Sequence, residues 1–363
     1  MKTLNQLFFR KAPIRYGRPF LGIVIMICFT IISCSNENAE ANSNEELMLS
    51  ETSNLSKQMV PGSPQLLAAL PDLSVGSTVG PDGHLYVGQT GPSGSILKVN
   101  KDTGEITTFA SELPTSVVPI GGVIDVAFID ETAYALVTLV GPLEFFGTDF
   151  INGIYRIDGP DSNTLIADIG TFATENPPTG FDYFLPMGLQ YAMQTYRGGF
   201  LVTDGHHNRM YHVTLAGEVS EFKVFGNIVP TGLEVSGNMV YMTEAGTSAE
   251  SNLDSRVIAI NSHTKEVNQV GSGIPFLVDV QMNRGQTLYA LSQGIWTGGN
   301  DGDSAEPNTG SLVKVNSDGS LTTVVEELDR PTSLEFIQNT AYIITLTGEI
   351  WTIDNVAGPP YGN

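Results

Sequence analysis

One pattern recurs six times between about residue 75 and the end of the chain, and it constrains the fold more than any other feature. Each copy runs as a short apolar strand, a polar turn, an aromatic-centred strand, a loop of variable length, an alternating strand, a turn rich in Asn, Asp, Ser and Gly, and a fourth strand. The aromatic-centred strands read H-L-Y-V-G around Tyr86, A-Y-A-L-V around Tyr134, G-F-L-V-T around Phe200, V-Y-M-T-E around Tyr241, L-Y-A-L-S around Tyr289 and A-Y-I-I-T around Tyr342, spaced by 48, 66, 41, 48 and 53 residues. The strands that follow also align, as S-I-L-K-V, G-I-Y-R-I, R-M-Y-H-V, R-V-I-A-I, S-L-V-K-V and E-I-W-T-I. Their period-two alternation is that of half-buried strands. Turns such as N-K-D-T-G (100–104) and N-S-D-G (316–319) supply residues that tolerate positive φ between strands three and four.

Six repeats of four antiparallel strands predict an all-β fold, a six-bladed β-propeller. A β-sandwich array would not explain the matched period. The last repeat stops after its third strand near Asp354, while Q-L-L-A-A-L-P-D-L (65–73) resembles T-V-V-E-E-L-D-R-P (323–331), the fourth strand of the preceding repeat. An N-terminal strand is therefore expected to complete the last blade and remove both open edges, although the Leu and Ala content of 65–71 also suits a short helix. The propeller is expected over 61–356, with 357–363 as a tail.

The first 33 residues carry five of the 17 basic residues and none of the acidic ones. Behind Arg18 lies an apolar run of 13 residues, Phe20 to Ile32, short of the ~20 needed to span a bilayer. Charged start plus short apolar run reads as a secretory signal. Its end, Ile31-Ile32-Ser33-Cys34, resembles the bacterial lipobox, in which the Cys is acylated and becomes the new N-terminus. Cys28 would leave with the signal, so the exported chain would hold a single lipid-bearing cysteine and no disulfide, and would rely on core packing alone. The alternative is an ordinary signal peptide with an accidental Cys34. Residues 34–60, rich in Ser, Asn and Glu, bury too little surface to order and read as a tether. Ser35 after Cys34 resembles outer-membrane sorting in Gram-negative bacteria, and the acidic residues beyond it resemble surface-export signals of some Bacteroidetes lipoproteins.

Charge narrows the partners. The chain has 17 Lys and Arg against 39 Asp and Glu, a net of −22; without the first 33 residues 12 bases face 39 acids, a net of −27. Nucleic acid and anionic lipid surfaces are poor matches, so membrane contact is expected only through the N-terminal lipid, with the protein a monomer.

Repeat one, G-S-T-V-G-P-D-G-H-L-Y-V-G-Q-T-G (76–91), together with D-G-H-H-N-R-M-Y-H-V (204–213), P-T-G-L-E-V (230–235) and V-Y-M-T-E-A-G (240–246), resembles the ScyD/ScyE family, over about residues 65–356. More loosely the chain is similar to NHL-type and gluconolactonase-like propellers. The first resemblance implies a propeller of unestablished activity. The second implies a divalent metal on the axis, held by Glu, Asn and Asp, with metal-activated water and a carboxylate base hydrolysing lactones or esters. The first repeat departs from the ScyD/ScyE pattern: N-P-R-G-L-A-F is replaced by Leu73 to Val79, so its axial Arg is missing, as is the early axial Glu of the gluconolactonase-like pattern.

Length variation concentrates in the loops at 141–152, 245–254 and 291–309 and in the inter-blade segment 171–186, which a propeller gathers on one face; such loops commonly bind. Asp125 and Asp279 share one repeat position near the start of the innermost strand, where repeats four and six have Gly232 and Ser333. Asp204 and Glu244 share another, at the end of the second strand. These four carboxylates, with His206, His207 and Asn208 beside them, are candidates for a cluster at the channel mouth that would take Ca²⁺ or another hard divalent cation; alternatively Asp125 and Asp279 cap backbone amides in a solvated channel. The adjacent His206 and His207 lack zinc-ligand spacing and suit a ligand or a neighbouring blade. His84 lies in a turn, and His212 and His263 read as solvated. The acidic 300–306 segment lacks the full calcium-loop pattern. Phe145, Phe146, Phe150, Phe181, Tyr183, Phe184 and Trp296 either form an apolar binding platform or pack the long loops. No nucleophile elbow or phosphate loop occurs. The expected function is a module binding a small molecule or protein at this face, with a metal-dependent hydrolase of a lactone, ester or sugar derivative as the alternative.

Overall fold

The computed structural model describes residues 60–246, 254–298 and 303–356. The leader, Cys34, the tether up to residue 59, the tail from 357 and the side chain of Phe145 lie outside the described residues. The first strand, β1 (Gln65–Ala69), belongs to the last blade. Blade 1 is β2 (Ser74–Val79), β3 (Leu85–Gln89), β4 (Ser95–Val99) and β5 (Ile106–Ala110). Blade 2 is β6 (Gly122–Ile129), β7 (Thr132–Thr138), β8 (Gly153–Gly159) and β9 (Ser162–Asp168). Blade 3 is β10 (Gln190–Tyr196), β11 (Gly199–Asp204), β12 (Arg209–Thr214) and β13 (Val219–Val224). Blade 4 is β14 (Pro230–Ser236), β15 (Met239–Glu244), β16 (Arg256–Asn261) and β17 (Val267–Ser272). Blade 5 is β18 (Leu277–Met282), β19 (Leu288–Ser292), β20 (Gly310–Val315) and β21 (Leu321–Leu328). Blade 6 is β22 (Pro331–Ile337), β23 (Thr340–Thr345) and β24 (Glu349–Ile353), completed by β1.

This is the expected six-bladed propeller of four-stranded antiparallel blades. Residues 65–69 form a strand rather than a helix because β24 offers them an open edge: Gln65 pairs with Thr352, Leu66 with Trp351, Ala68 with Ile350 and Ala69 with Glu349. The innermost strands β2, β6, β10, β14, β18 and β22 contact one another in a closed ring. The repeated aromatics fill the wedges between blades. Tyr86 stands edge-on to Phe128 of the next blade with ring centroids 4.8 Å apart, Tyr134 lies 5.0 Å from Phe200, and Tyr289 lies 5.1 Å from Phe336. Each such pair contributes about 0.5–1.5 kcal/mol beyond its burial.

Among the described residues two short helices interrupt the pattern, α1 (Leu143–Phe146) and α2 (Ile169–Glu175). The second falls partly within the segment expected to be an inter-blade loop. It forms because the Asp168 carboxylate accepts from the Thr171 amide (2.8 Å) as an N-cap, and because Ile169 and Ala173 bury against the blades. Its single apolar stripe is too short to stand out as a period.

Candidate functional site

The innermost strand of every blade carries a bulge at the same level, between Ser74 and Ser77, Val123 and Asp125, Gln190 and Met193, Pro230 and Leu233, Leu277 and Asp279, and Pro331 and Ser333. A bulge frees a backbone amide from its ladder. In three blades a side chain of the preceding blade accepts it. Asp125 Oδ2 accepts from Met193 N at 2.7 Å, Asp279 Oδ2 accepts from Leu334 N at 2.7 Å, and Ser333 Oγ accepts from Ser77 N at 3.2 Å. The other oxygen of each aspartate accepts from the next residue of its own strand, Val126 N and Val280 N, both at 2.8 Å. Asp125 and Asp279 thus clasp one blade to the next.

The register around the ring at this level reads Gly76, Asp125, Ala192, Gly232, Asp279, Ser333, with the two aspartates three blades apart. A small residue must precede each of them. A Cβ on Gly76 would lie 2.4 Å from Asp125 Oδ1, and one on Gly232 would lie 2.4 Å from Asp279 Oδ1.

Two residues further along, on the same strand face, Gln281 and Glu335 line the axial channel, and Glu234 is close enough for its charge to act on Glu335. The Gln281 amide donates to Glu335 Oε2 at 2.9 Å. Burial pushes Asp279 and Glu234 each up to about 7, and it holds Asp125 and Glu335 well above the usual carboxylate range; for Glu335 the charges of Asp279, Glu234 and Asp125 add to the effect. The axial channel is a small polar cavity of about 40 Å³, and burial there favours the protonated form of its acids. Glu234 and Glu335 were not among the sequence candidates. Their signal was present in the i, i+2 spacing from Gly232 and Ser333.

The linkage has a definite sign. A carboxyl whose folded-state pKa is raised binds more protons folded than unfolded between its ordinary and its folded-state value, up to about 7 for Asp279 and Glu234, so stability is lost as pH rises through that window. Glu335→Gln keeps an acceptor for Gln281 and removes one acid. The variant should melt a few degrees higher than the parent at pH 8 and show no gain at pH 4. Parallel melting curves for the two proteins from pH 4 to pH 8 would contradict this account of the channel.

Asp204 and Glu244 end their strands away from this cluster, and both are engaged. Asp204 is fully buried; Oδ1 accepts from Leu189 N (2.9 Å) and His207 N (3.0 Å), and Oδ2 accepts from the Tyr211 hydroxyl (2.7 Å). Arg209, also buried, donates to the Tyr211 hydroxyl (2.8 Å), Asn176 O (2.7 Å), Glu221 Oε1 (2.8 Å) and His207 Nδ1 (3.0 Å). Because an arginine only donates, His207 Nδ1 accepts, Nε2 carries the proton and donates to Leu185 O at 2.8 Å. Burial lowers the His207 pKa, in keeping with a ring whose Nδ1 accepts from Arg209. Glu244 is held by Arg256 through Nε (2.8 Å) and Nη2 (2.7 Å). Among the described residues no group of three or more His, Cys, Asp or Glu side chains is placed to hold a metal ion. The four candidate carboxylates do not converge.

What does converge is an apolar cavity of about 450 Å³ at the mouth of the channel. Its floor is one residue from each innermost strand: Val75, Ile124, Tyr191, Thr231, Val278 and Thr332. Its wall includes Phe181, Phe184, Leu189, Phe276 and Trp296, with His206 and Asn208 beside them. His206 Nε2 accepts from both Phe184 N and Leu185 N at 3.0 Å, which fastens the 181–185 segment to blade 3. Asn208 adopts a left-handed φ of 53° and its carbonyl takes the Phe225 amide. Of the other aromatics, Phe146 is buried with Leu139 and Met187, Tyr183 stacks edge-on to His207, and Phe150 is exposed.

No protein-family model matches the chain, and no curated protein matches it. Solved structures do share its fold. They include a gluconolactonase from Xanthomonas campestris (12% identity over 83% of this chain and 92% of that one, TM-score 0.57). A PQQ-bound aldose sugar dehydrogenase from Streptomyces coelicolor is similar at 12% identity, covering 81% of this chain and 98% of that one with a TM-score of 0.54. A virginiamycin B lyase from Staphylococcus aureus with quinupristin matches at 14% identity, covering 80% and 99% with a TM-score of 0.50. At these identities the likeness is one of fold, and the chain is a six-bladed propeller similar to these proteins.

Proposed function

We propose that this chain is a lipid-anchored, extracytoplasmic binding module whose site is the cavity at the channel mouth, of the ScyD/ScyE type in its repeats. The cavity itself carries the reading. At about 450 Å³ it lies within the ~300–1,000 Å³ of small-molecule sites, and like them it is mostly apolar with a few polar groups. The hydrolase alternative calls for a bound divalent metal, and Asp204 and Glu244 have their carboxylates committed to structural partners.

The chain's two tryptophans make the test direct. Trp296 lines the cavity, while Trp351 lies on β24. In a Trp351→Phe background, titration with the neutral fluorophore N-phenylnaphthylamine should quench Trp296 and saturate at one probe per chain. A Trp296 emission that does not respond would sink the binding-module reading. Elemental analysis of the same dialysed protein separates the alternatives: a stoichiometric divalent metal would favour the hydrolase.

The anchor rests on the motif Ile31-Ile32-Ser33-Cys34 behind a basic, apolar leader. Expressed with its leader in a Gram-negative host, the protein should enter the detergent phase on phase partitioning. With the leader removed in both proteins, Cys34→Ser should move nearly all of it to the aqueous phase, because acyl chains supply about 0.8 kcal/mol per buried methylene and the acidic remainder is repelled by anionic lipid. Unchanged partitioning of Cys34→Ser would refute the anchor.

A further inference from the structure

The chain is strongly acidic, yet three of its cations gather without a carboxylate in the seam between blades 3 and 4. We propose that Arg197, Lys223 and Lys265 form a binding site there for a phosphate group, carried by a small phosphomonoester or by a lipid headgroup. The site is separate from the cavity and independent of the binding-module reading. Arg197 directly follows β10, at the end of that strand opposite the cavity-floor residue Tyr191.

Pairing is the first observation. Among the described residues there are eleven Lys and Arg side chains, and six of them form an ion pair with a carboxylate. With 39 acids in the chain against 17 bases, partners are plentiful. Arg197, Lys223 and Lys265 nonetheless form no ion pair among the described residues. Glu221, next to Phe222 in the chain, is taken by Arg209 at 2.8 Å, and Glu266, next to Lys265, forms no ion pair either.

The second observation is how closely the three are held. Lys265 Nζ lies 3.0 Å from the centroid of the Phe222 ring, and Arg197 lies 5.0 Å from that of Tyr196. Those two rings meet edge-on at 5.6 Å. Lys223 Nζ donates to Lys265 O at 3.2 Å, and Arg197 Nη2 donates to His263 Nε2 at 2.7 Å, so turns of both blades are tied together. Burial, and then the charges of Arg197 and Lys223, hold Lys265 below its ordinary pKa; burial, and then Lys265 and Arg197, do the same to His212. The charges acting on both groups are positive, a repulsion that a bound anion relieves.

The third is an internal comparison. In blade 1 the Asn100 side chain accepts from the amides of Asp102 and Thr103, and the turn ends on Gly104 at a φ of 70°. In blade 4 Asn261 accepts from His263 and Thr264 in the same way, and Lys265 takes the left-handed position at a φ of 61°. A lysine there costs backbone strain that glycine avoids.

The donors suit a phosphate. Arg197 keeps guanidinium N–H groups beyond the one given to His263, and Lys223 keeps two of its three. A phosphate group brings up to two negative charges and three acceptor oxygens, where a carboxylate brings one charge. The acidic remainder of the chain disfavours a polyanion, so a single phosphate is the fitting ligand.

Calorimetric titration of the whole protein at low salt should show saturable binding of inorganic phosphate and of glycerol phosphate, one per chain, with acetate at least about tenfold weaker. Lys265→Gly gives blade 4 the residue that blade 1 has at this turn, so circular dichroism should be unchanged while phosphate affinity falls about tenfold or more. Arg197→Gln should weaken it similarly. Lys314→Gln removes an exposed cation of blade 5 and should change affinity by less than about twofold, because separated surface charges are screened. Flotation of the leader-free Cys34→Ser protein with phosphatidylcholine vesicles, with and without phosphatidate, separates the sources. Retention only with phosphatidate, lost in Arg197→Gln, assigns the lipid headgroup; no retention alongside glycerol phosphate binding assigns a free compound. Absence of saturable binding by every phosphate probe, full affinity in Lys265→Gly, or an equal loss in Lys314→Gln would overturn the site.

Discussion

Deleting Gln65–Leu70 should abolish the stable, soluble monomer. Without β1 the last blade has three strands, and β24 presents its unpaired edge to solvent and to other chains. The loss is also apolar. Ala68 and Leu70 are buried, with Leu67 beside them, in a cluster with Leu85, Val87 and Leu97 of blade 1 and Tyr342, Ile344 and Ile350 of blade 6. The strand therefore seals the seam between the first and last blades as well as completing the sheet. Full burial of a leucine is worth about 1.5–3 kcal/mol. Two leucines, an alanine and a ladder of hydrogen bonds then amount to several kcal/mol, a large share of the ~5–15 kcal/mol that keeps a domain folded. Soluble yield, gel filtration and thermal melting of the deletion measure this. A soluble monomer that melts like the parent would show that the ring closes without its N-terminal strand.

Asp204→Ala should be the most damaging single substitution near the cavity, at about 3–5 kcal/mol, because it strips a buried charge from its partners. The amides of Leu189 and His207 and the hydroxyl of Tyr211 lose their acceptor together. Arg209, buried against the Tyr211 ring, is left closer to an unbalanced charge. The carboxylate also helps to fix the backbone entering β10, together with the Gly188 N to Leu185 O and Gly205 N to Leu189 O bonds. Gly188 sits at a φ of 72°, where an added Cβ would lie 2.0 Å from Asp204 Oδ2, so the chain passes tightly over the carboxylate before entering β10. The cavity-lining Leu185 and Leu189 flank that turn, so probe binding should fall along with stability. Asp204→Asn keeps one acceptor oxygen and should cost roughly half as much. Denaturant unfolding of both variants tests this, and an Asp204→Ala protein within about 1 kcal/mol of the parent would contradict the network described.

These two predictions differ in how far ahead they could be seen. The strand at 65–69 was visible in the chain because it repeats the fourth-strand pattern of 323–331 and because the last repeat lacks a fourth strand. The role of Asp204 was not. Its position at the end of a second strand, shared with Glu244, was plain, and that likeness suggested a common cluster. The two residues instead face unlike partners: Asp204 takes Leu189, His207 and Tyr211, and Glu244 takes Arg256. A carboxylate's partner is set by what the neighbouring loop brings to it, and the loops are where the repeats differ most. For Asp125 and Asp279 the shared position does mean a shared task, because both sit on the inner strand, where every blade has the same bulge and the same neighbour.

Strand alternation, the recurring aromatics and the match between the two chain ends are local or periodic properties, and from them alone the sequence determined the propeller, its blade count and its closure. Which polar side chains face the axis, which are spent between blades, and that an apolar cavity lies at the mouth were decided only by tertiary structure. Those outcomes depend on contacts such as Asp125 with Met193, 68 residues apart. Such contacts exist only once the ring has closed and the bulges have turned their amides toward the neighbouring blade.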